Sequence, residues 1–241
     1  ESFRRYGNPS IPMHMAIHSL PLLLAEKFNI PLILWAENPA QTIGSLDSST
    51  RGPFKSKAWF GEYGCTGGTV YTDWISPCIT EKDLFLYSRA GMESICAKEV
   101  FLGHFIDWRP RIVAERAQVL GRRSLQDPIV GYHSFSEDDD AFLIPVTEWL
   151  KWYKFGITRI WDNLSVDIRS SVINREAAIG VLRCIGKDIA PDDAIAKFCE
   201  FTNISVREFN AIAETFRSSR IWKRVNEEWV IPGFLIDSWK W

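Results

Sequence analysis

A helix-like stretch that runs directly into an uninterrupted apolar run constrains this chain most. It occupies residues 10–38, SIPMHMAIHSLPLLLAEKFNIPLILWAEN. Ser10 is placed to cap the helix, and Pro12 falls in the first turn, where proline is tolerated. Met13, Ile17, Leu20, Leu24 and Phe28 recur close to the helical period. Pro21 is expected to bend the helix or end a first segment, and Asn29 marks its stop. Residues 30–35 then read as a strand covered on both faces, the pattern of a parallel α/β sheet. Ligands of such sheets bind beyond the strand C-termini. Glu37 and Asn38 fall at that end, as a site pair or as a turn facing water.

The rest of the chain must supply what such a strand packs against. With 241 residues there is enough for a sizeable core. A partner strand is expected at residues 100–106 (VFLGHFI), followed by a helix of about ten residues opened by Asp107-Trp108-Arg109-Pro110 and ending near Gly121. His104 in that run is a catalytic candidate or a hydrogen-bonded core histidine. Few other strands are available, so the missing ones are expected upstream of Glu1, with this chain a fragment or a form lacking its N-terminal part. Residues 39–75 are irregular and long for a structureless connection. Within them Gly67-Gly68 either brings backbone N–H groups to an anion, as a nucleotide contact, or makes a tight turn. No Gly-Lys-Ser/Thr follows, so it is not a P-loop. Thr80 and Asp83 have the spacing of a capping box for a short helix through Tyr87.

The pattern changes after the acidic run at residues 137–140, which is a cation site or, more simply, a helix start. Helices are expected from 141 to 160, across 162–171, from Asn174 through Arg183, from Ala190 to near Asn203, and from a Ser205/Glu208 capping box through Arg217. The aromatic tail from Trp229 is expected to dock back on the core. The expected fold is therefore α/β: a partial parallel-sheet nucleotide-binding layer over residues 1–135, then a helical region over 136–241. In LKWYKFGITRIWDN, residues 150–163, Lys154, Arg159 and Asp162 straddle Gly156 among aromatics. Cations beside aromatic surface suit a phosphate or nucleotide sugar; an Arg159–Asp162 ion pair is the alternative.

Composition narrows the classes. The net charge of −2 makes no electrostatic case for nucleic acid or an anionic membrane. No apolar run approaches the ~20 residues of a membrane span, and no signal peptide is visible. The five cysteines are never spaced as CxxC, which argues for reduced thiols in a cytoplasmic protein and against a zinc site. Most of the eleven tryptophans are expected in the core.

Taken together, residues 11–38, 72–83 (TDWISPCITEKD), 101–108 (FLGHFIDW), 151–163, Asp167 to Arg169 with 174–179 (NREAAI), and 216–222 (FRSSRIW) resemble the N-acetyl sugar amidotransferase family of surface-polysaccharide biosynthesis. The resemblance implies an N-type ATP pyrophosphatase with a parallel α/β core. Such an enzyme converts an acetamido group on a nucleotide-linked sugar to an acetamidino group. ATP, with Mg2+, adenylates the amide oxygen and pyrophosphate leaves; ammonia then displaces AMP. The implied partner is a glutaminase–synthase pair that supplies ammonia. Within the matching segments, Glu37 and Asn38 are the expected catalytic pair. His14, Lys154, Arg159, Asp162 and Arg169 are the expected substrate contacts. The family's Ser-Gly-Gly-x-Asp-Ser loop, which holds the triphosphate, occurs nowhere in the 241 residues. An inactive binding or scaffold protein, and a transferase using a nucleotide sugar without ATP, are the competing classes.

Overall fold

The computed structural model describes residues 1–36, 50–88, 97–106, 109–135, 142–185 and 190–236. Glu37, Asn38, Asp107, Trp108 and the acidic run 137–140 lie outside the described residues. The chain divides into two compact units. The larger takes in Glu1–Pro9 and Arg111–Trp241; the smaller is Ser10–Pro110. Helix α1 (Ser2–Tyr6) belongs to the larger unit.

The smaller unit starts with α2 (Ile11–Lys27), which continues through Pro21. Proline there gives up one backbone hydrogen bond, and the remaining ladder carries the helix past it. Asn29 then turns the chain with φ 53°. The buried face of α2 is formed by Ile11, Met15, His18, Leu22 and Ala25. Ile17, Leu24 and Phe28, which recur at the helical period, stay exposed. The helix is apolar nearly all round, so periodicity alone could not choose the face. Strand β1 (Leu32–Trp35) follows.

Helix α3 (Lys57–Tyr63) is capped by Ser56, whose hydroxyl accepts the Trp59 N–H at 3.1 Å. Strand β2 (Lys98–Phe101) runs parallel to β1, with Leu32 opposite Lys98 and Trp35 opposite Phe101. The expected parallel pair is present, with two corrections. β2 ends at Phe101, where a 3-10 turn over Leu102–His104 replaces the expected continuation. β1 is not covered on both faces among the described residues, since Leu32 and Leu34 remain exposed. The far edge of β2 is taken by the preceding loop: Lys55 N–H donates to Glu99 O at 3.1 Å and Phe101 N–H to Pro53 O at 2.8 Å. Trp59 and Phe101 form the local core, with Trp35, Phe60 and Tyr63 packed against them. The Thr80/Asp83 capping geometry forms, but it leads only to a 3-10 turn at Phe85–Tyr87.

The larger unit is helical: α4 (Pro110–Val119), α5 (Leu143–Phe155), α6 (Arg159–Arg169), α7 (Arg175–Ile185), α8 (Asp192–Thr202) and α9 (Val206–Thr215). Gly156 ends α5 in the left-handed region, φ 68°, and a Cβ there would collide with Ile231. Only glycine suits that corner. Phe3 of α1 stacks on Phe209, centroids 4.8 Å apart, and meets Phe198 edge-on. Val146, Leu150, Phe209 and Ala213 are fully sealed in this core. Trp222 is anchored by its indole N–H, which donates to the Trp152 and Tyr153 carbonyls. Trp59, Trp74, Trp149, Trp152 and Trp222 are all buried, as a core role requires. The tail forms an antiparallel hairpin, β3 (Lys223–Val225) and β4 (Glu228–Val230), around Asn226 and Glu227, both at positive φ. No helix among the described residues is long and apolar enough to cross a membrane.

Candidate functional site

The corner between α5 and α6 brings two cations and two carboxylates together. Thr158 is extended at the start of α6 and makes no side-chain cap bond. Arg159 opens the helix where the dipole disfavours a cation, so acids must hold it. Its Nη2 lies 3.3 Å from Glu148 Oε1 and its Nη1 3.9 Å from Asp162 Oδ2. Lys151 lies closer to the same acids, 2.8 Å from Glu148 Oε2 and 2.6 Å from Asp162 Oδ2. Two cations and two carboxylates thus balance. The Arg159–Asp162 pair was legible from spacing. Glu148 and Lys151 were missed, although their i, i+3 separation on one helix was the available signal.

A loop over residues 128–133 is fastened beside this quartet. Tyr132 N–H donates to Asn163 Oδ1 at 2.8 Å, and His133 Nε2 to Asp167 Oδ2 at 2.9 Å. Arg111 approaches the same Asp167 oxygen at 3.6 Å. Gly131 sits at φ 76°, and a Cβ there would come within 2.6 Å of Arg159 Cγ. Between loop, α5 and the corner lies a cavity of about 180 Å3, lined by Gly131, Glu148, Trp149, Thr158 and Arg159 among proline and aliphatic walls.

The other expected site residues have surroundings of their own. Lys154 turns its ammonium to the Tyr6 carbonyl at 2.7 Å and over the Phe216 ring, and burial lowers its pKa. It does not share partners with Arg159. Arg169 is exposed at the end of α6. His14, in the smaller unit, donates Nδ1–H to Ser10 O at 2.8 Å; burial lowers its pKa despite that bond. Gly67 and Gly68 form a turn closed by the Thr69 N–H on Thr66 O, both at positive φ. A Cβ on Gly68 would meet nothing within 4 Å, and one on Gly67 would lie 3.3 Å from Ile11 Cδ1. Among the described residues no group of three or more His, Cys, Asp or Glu side chains is arranged to hold a metal.

A second polar cluster, not foreseen from the sequence, is sealed inside the smaller unit. Lys55 Nζ lies 2.9 Å from both His18 Nδ1 and Glu99 Oε1, and 3.6 Å from the Trp35 ring centroid. The Lys55 side chain is 0% exposed and that of Glu99 6%.

None of the curated proteins compared with the chain matches it. Residues 131–233 match the model of a family described as LPS biosynthesis protein WbpG-like, C-terminal domain. That segment spans α5 to α9 and most of the cavity lining, including Gly131, Glu148 and Arg159. Over these residues the chain is similar to the C-terminal domain of WbpG-like proteins, and lipopolysaccharide biosynthesis is the process to which the match points.

Proposed function

We propose that this chain serves lipopolysaccharide biosynthesis as the C-terminal portion of an ATP-dependent N-acetyl sugar amidotransferase. The match of residues 131–233 to the WbpG-like C-terminal domain carries this reading. The ordered family-like segments outside that match, and a parallel strand pair with Glu37 and Asn38 after its first strand, support it. In the reaction, ATP takes the acetamido oxygen, which leaves on AMP after pyrophosphate is released. Ammonia from a glutaminase partner supplies the nitrogen that replaces it. An amide oxygen is a poor leaving group, so this activation is what the exchange requires. Arg159 and Asp162 remain proposed substrate contacts, with Glu37 and Asn38 at the reacting centre. Gly67-Gly68, a turn with both glycines at positive φ, remains a proposed backbone contact for the nucleotide.

The test uses the full-length parent protein with a nucleotide-linked N-acetyl sugar, ATP, Mg2+ and ammonia. Mass spectrometry should show one sugar oxygen replaced by NH, with AMP and pyrophosphate formed in equal amounts. Sugar binding without ATP consumption would favour the binding or scaffold class. Consumption of the nucleotide sugar without ATP would favour a different transferase.

A further inference from the structure

The cavity at the α5–α6 corner is too small for a whole nucleotide sugar. Its volume of about 180 Å3 is below the ~300–1,000 Å3 of clefts that enclose drug-sized ligands. A single ring-sized group is what it admits. Its charges also argue against a phosphate. An anion placed there would gain Arg159 but face Glu148, the carboxylate that lines the same cavity. A neutral ring bearing hydroxyls meets no such opposition. Its hydroxyls donate to a carboxylate and accept from a guanidinium, while its C–H faces cover Trp149 and the proline walls.

We infer that this cavity binds one neutral pyranose ring, with Glu148 as the hydroxyl acceptor that sets its specificity. The choice of a pyranose among hydroxylated rings rests on the lipopolysaccharide reading above; the site itself rests on the cavity and the Glu148–Arg159 pair in its wall. The loop is preformed by the Tyr132–Asn163 and His133–Asp167 bonds, which limits the ordering cost of binding.

Saturation-transfer NMR on the 241-residue chain tests this, with the methyl glycosides of glucose and N-acetylglucosamine against uridine monophosphate and inorganic phosphate. Ring protons of the glycosides should receive saturation, with weak, about millimolar affinity; the two anions should not compete. Ile129→Trp, on the exposed loop wall, should fill the cavity and weaken glycoside binding at least about tenfold, with an unchanged circular dichroism spectrum. Glu148→Gln should weaken the glycosides and admit phosphate, because Arg159 then lines the cavity without an opposing carboxylate. Absent glycoside signals, undiminished binding in Ile129→Trp, or displacement of the sugar by phosphate from the unsubstituted chain would each overturn the assignment. The full-length protein separates this site from the proposed reaction. Glycoside binding without amidine formation removes the reaction and keeps the site. Amidine formation by Ile129→Trp with an unchanged KM keeps the reaction and removes the site.

Discussion

Arg159 and Lys154 flank Gly156 and look equivalent in the sequence, yet their side chains have different surroundings. Arg159 lines the cavity and faces Glu148 and Asp162, whereas Lys154 donates to the Tyr6 carbonyl from a half-buried position. Arg159→Met should therefore weaken sugar-nucleotide affinity of the full-length protein about tenfold, the scale of one charge-assisted hydrogen bond, while its melting temperature barely moves. Lys154→Met should do the reverse, costing about 1 kcal/mol of stability through the lost bond to Tyr6 and leaving affinity intact. Calorimetric titration and thermal melts on the same two variants decide it. Protonation at His14 gives a second prediction. Burial holds its folded pKa below the ordinary 6.5, so the unfolded chain takes the proton first as pH falls. Stability should decline from pH 6.5 down to the lowered folded value and then level off. In denaturant titrations at several pH values, His14→Gln should lose that component, and an unchanged pH profile would remove it. The identities of Arg159 and Asp162 could be read locally because they share one helical turn. Glu148 and Lys151 join them only when the α5–α6 corner closes at Gly156, which no linear spacing shows.

At the scale of elements, two helix starts were legible because capping is local chemistry, whereas Ser10, expected to cap α2, makes no side-chain cap bond. The Ser205 hydroxyl accepts the Glu208 N–H at 3.1 Å, and Asn174 Oδ1 accepts the Ala177 N–H at 2.8 Å, both where the sequence placed helix starts. Ser205→Ala should cost roughly 0.5–2 kcal/mol, read as a lower melting temperature with sugar affinity unchanged. The β3–β4 hairpin was not anticipated, because its Asn226-Glu227 turn lacks the Asn-Gly or Asp-Gly pair that usually announces such a turn. The direction of α2 was also illegible: a helix apolar on every side leaves the choice of face to tertiary contacts. The 3-10 turn after β2 shows the same limit, since the apolar run continues while the strand does not. The loop over residues 128–133 is an element whose form depends on one position. Gly131→Ala would force a side chain onto Arg159 at a positive φ, so loss of glycoside saturation transfer should accompany any fold that survives it.

For the whole molecule, the division into two units makes cooperativity the measurable property, because each unit has its own core. Calorimetry of the chain should resolve two transitions, and a substitution confined to one unit should move one of them. In the smaller unit the sensitive place is Lys55, whose buried ammonium joins the loop before α3 to α2 through His18 and to β2 through Glu99. Lys55→Met keeps most of the volume but leaves the Glu99 carboxylate, 6% exposed, without the cation 2.9 Å away. Removing one partner of such a pair costs about 3–5 kcal/mol, whereas replacing both with apolar groups often costs little. The single variant should therefore lower the smaller unit's transition sharply, and Lys55→Met combined with Glu99→Leu should recover much of the loss. Phe209→Ala supplies the opposite control: it empties a fully buried position in the larger unit, costs about 3–5 kcal/mol, and should move only the other transition. If each variant shifts both transitions equally, the chain unfolds as one cooperative body and the two-unit division has no thermodynamic meaning. If the double variant is no better than Lys55→Met alone, the cost lies in lost packing and the buried pair is not what holds the sheet to α2.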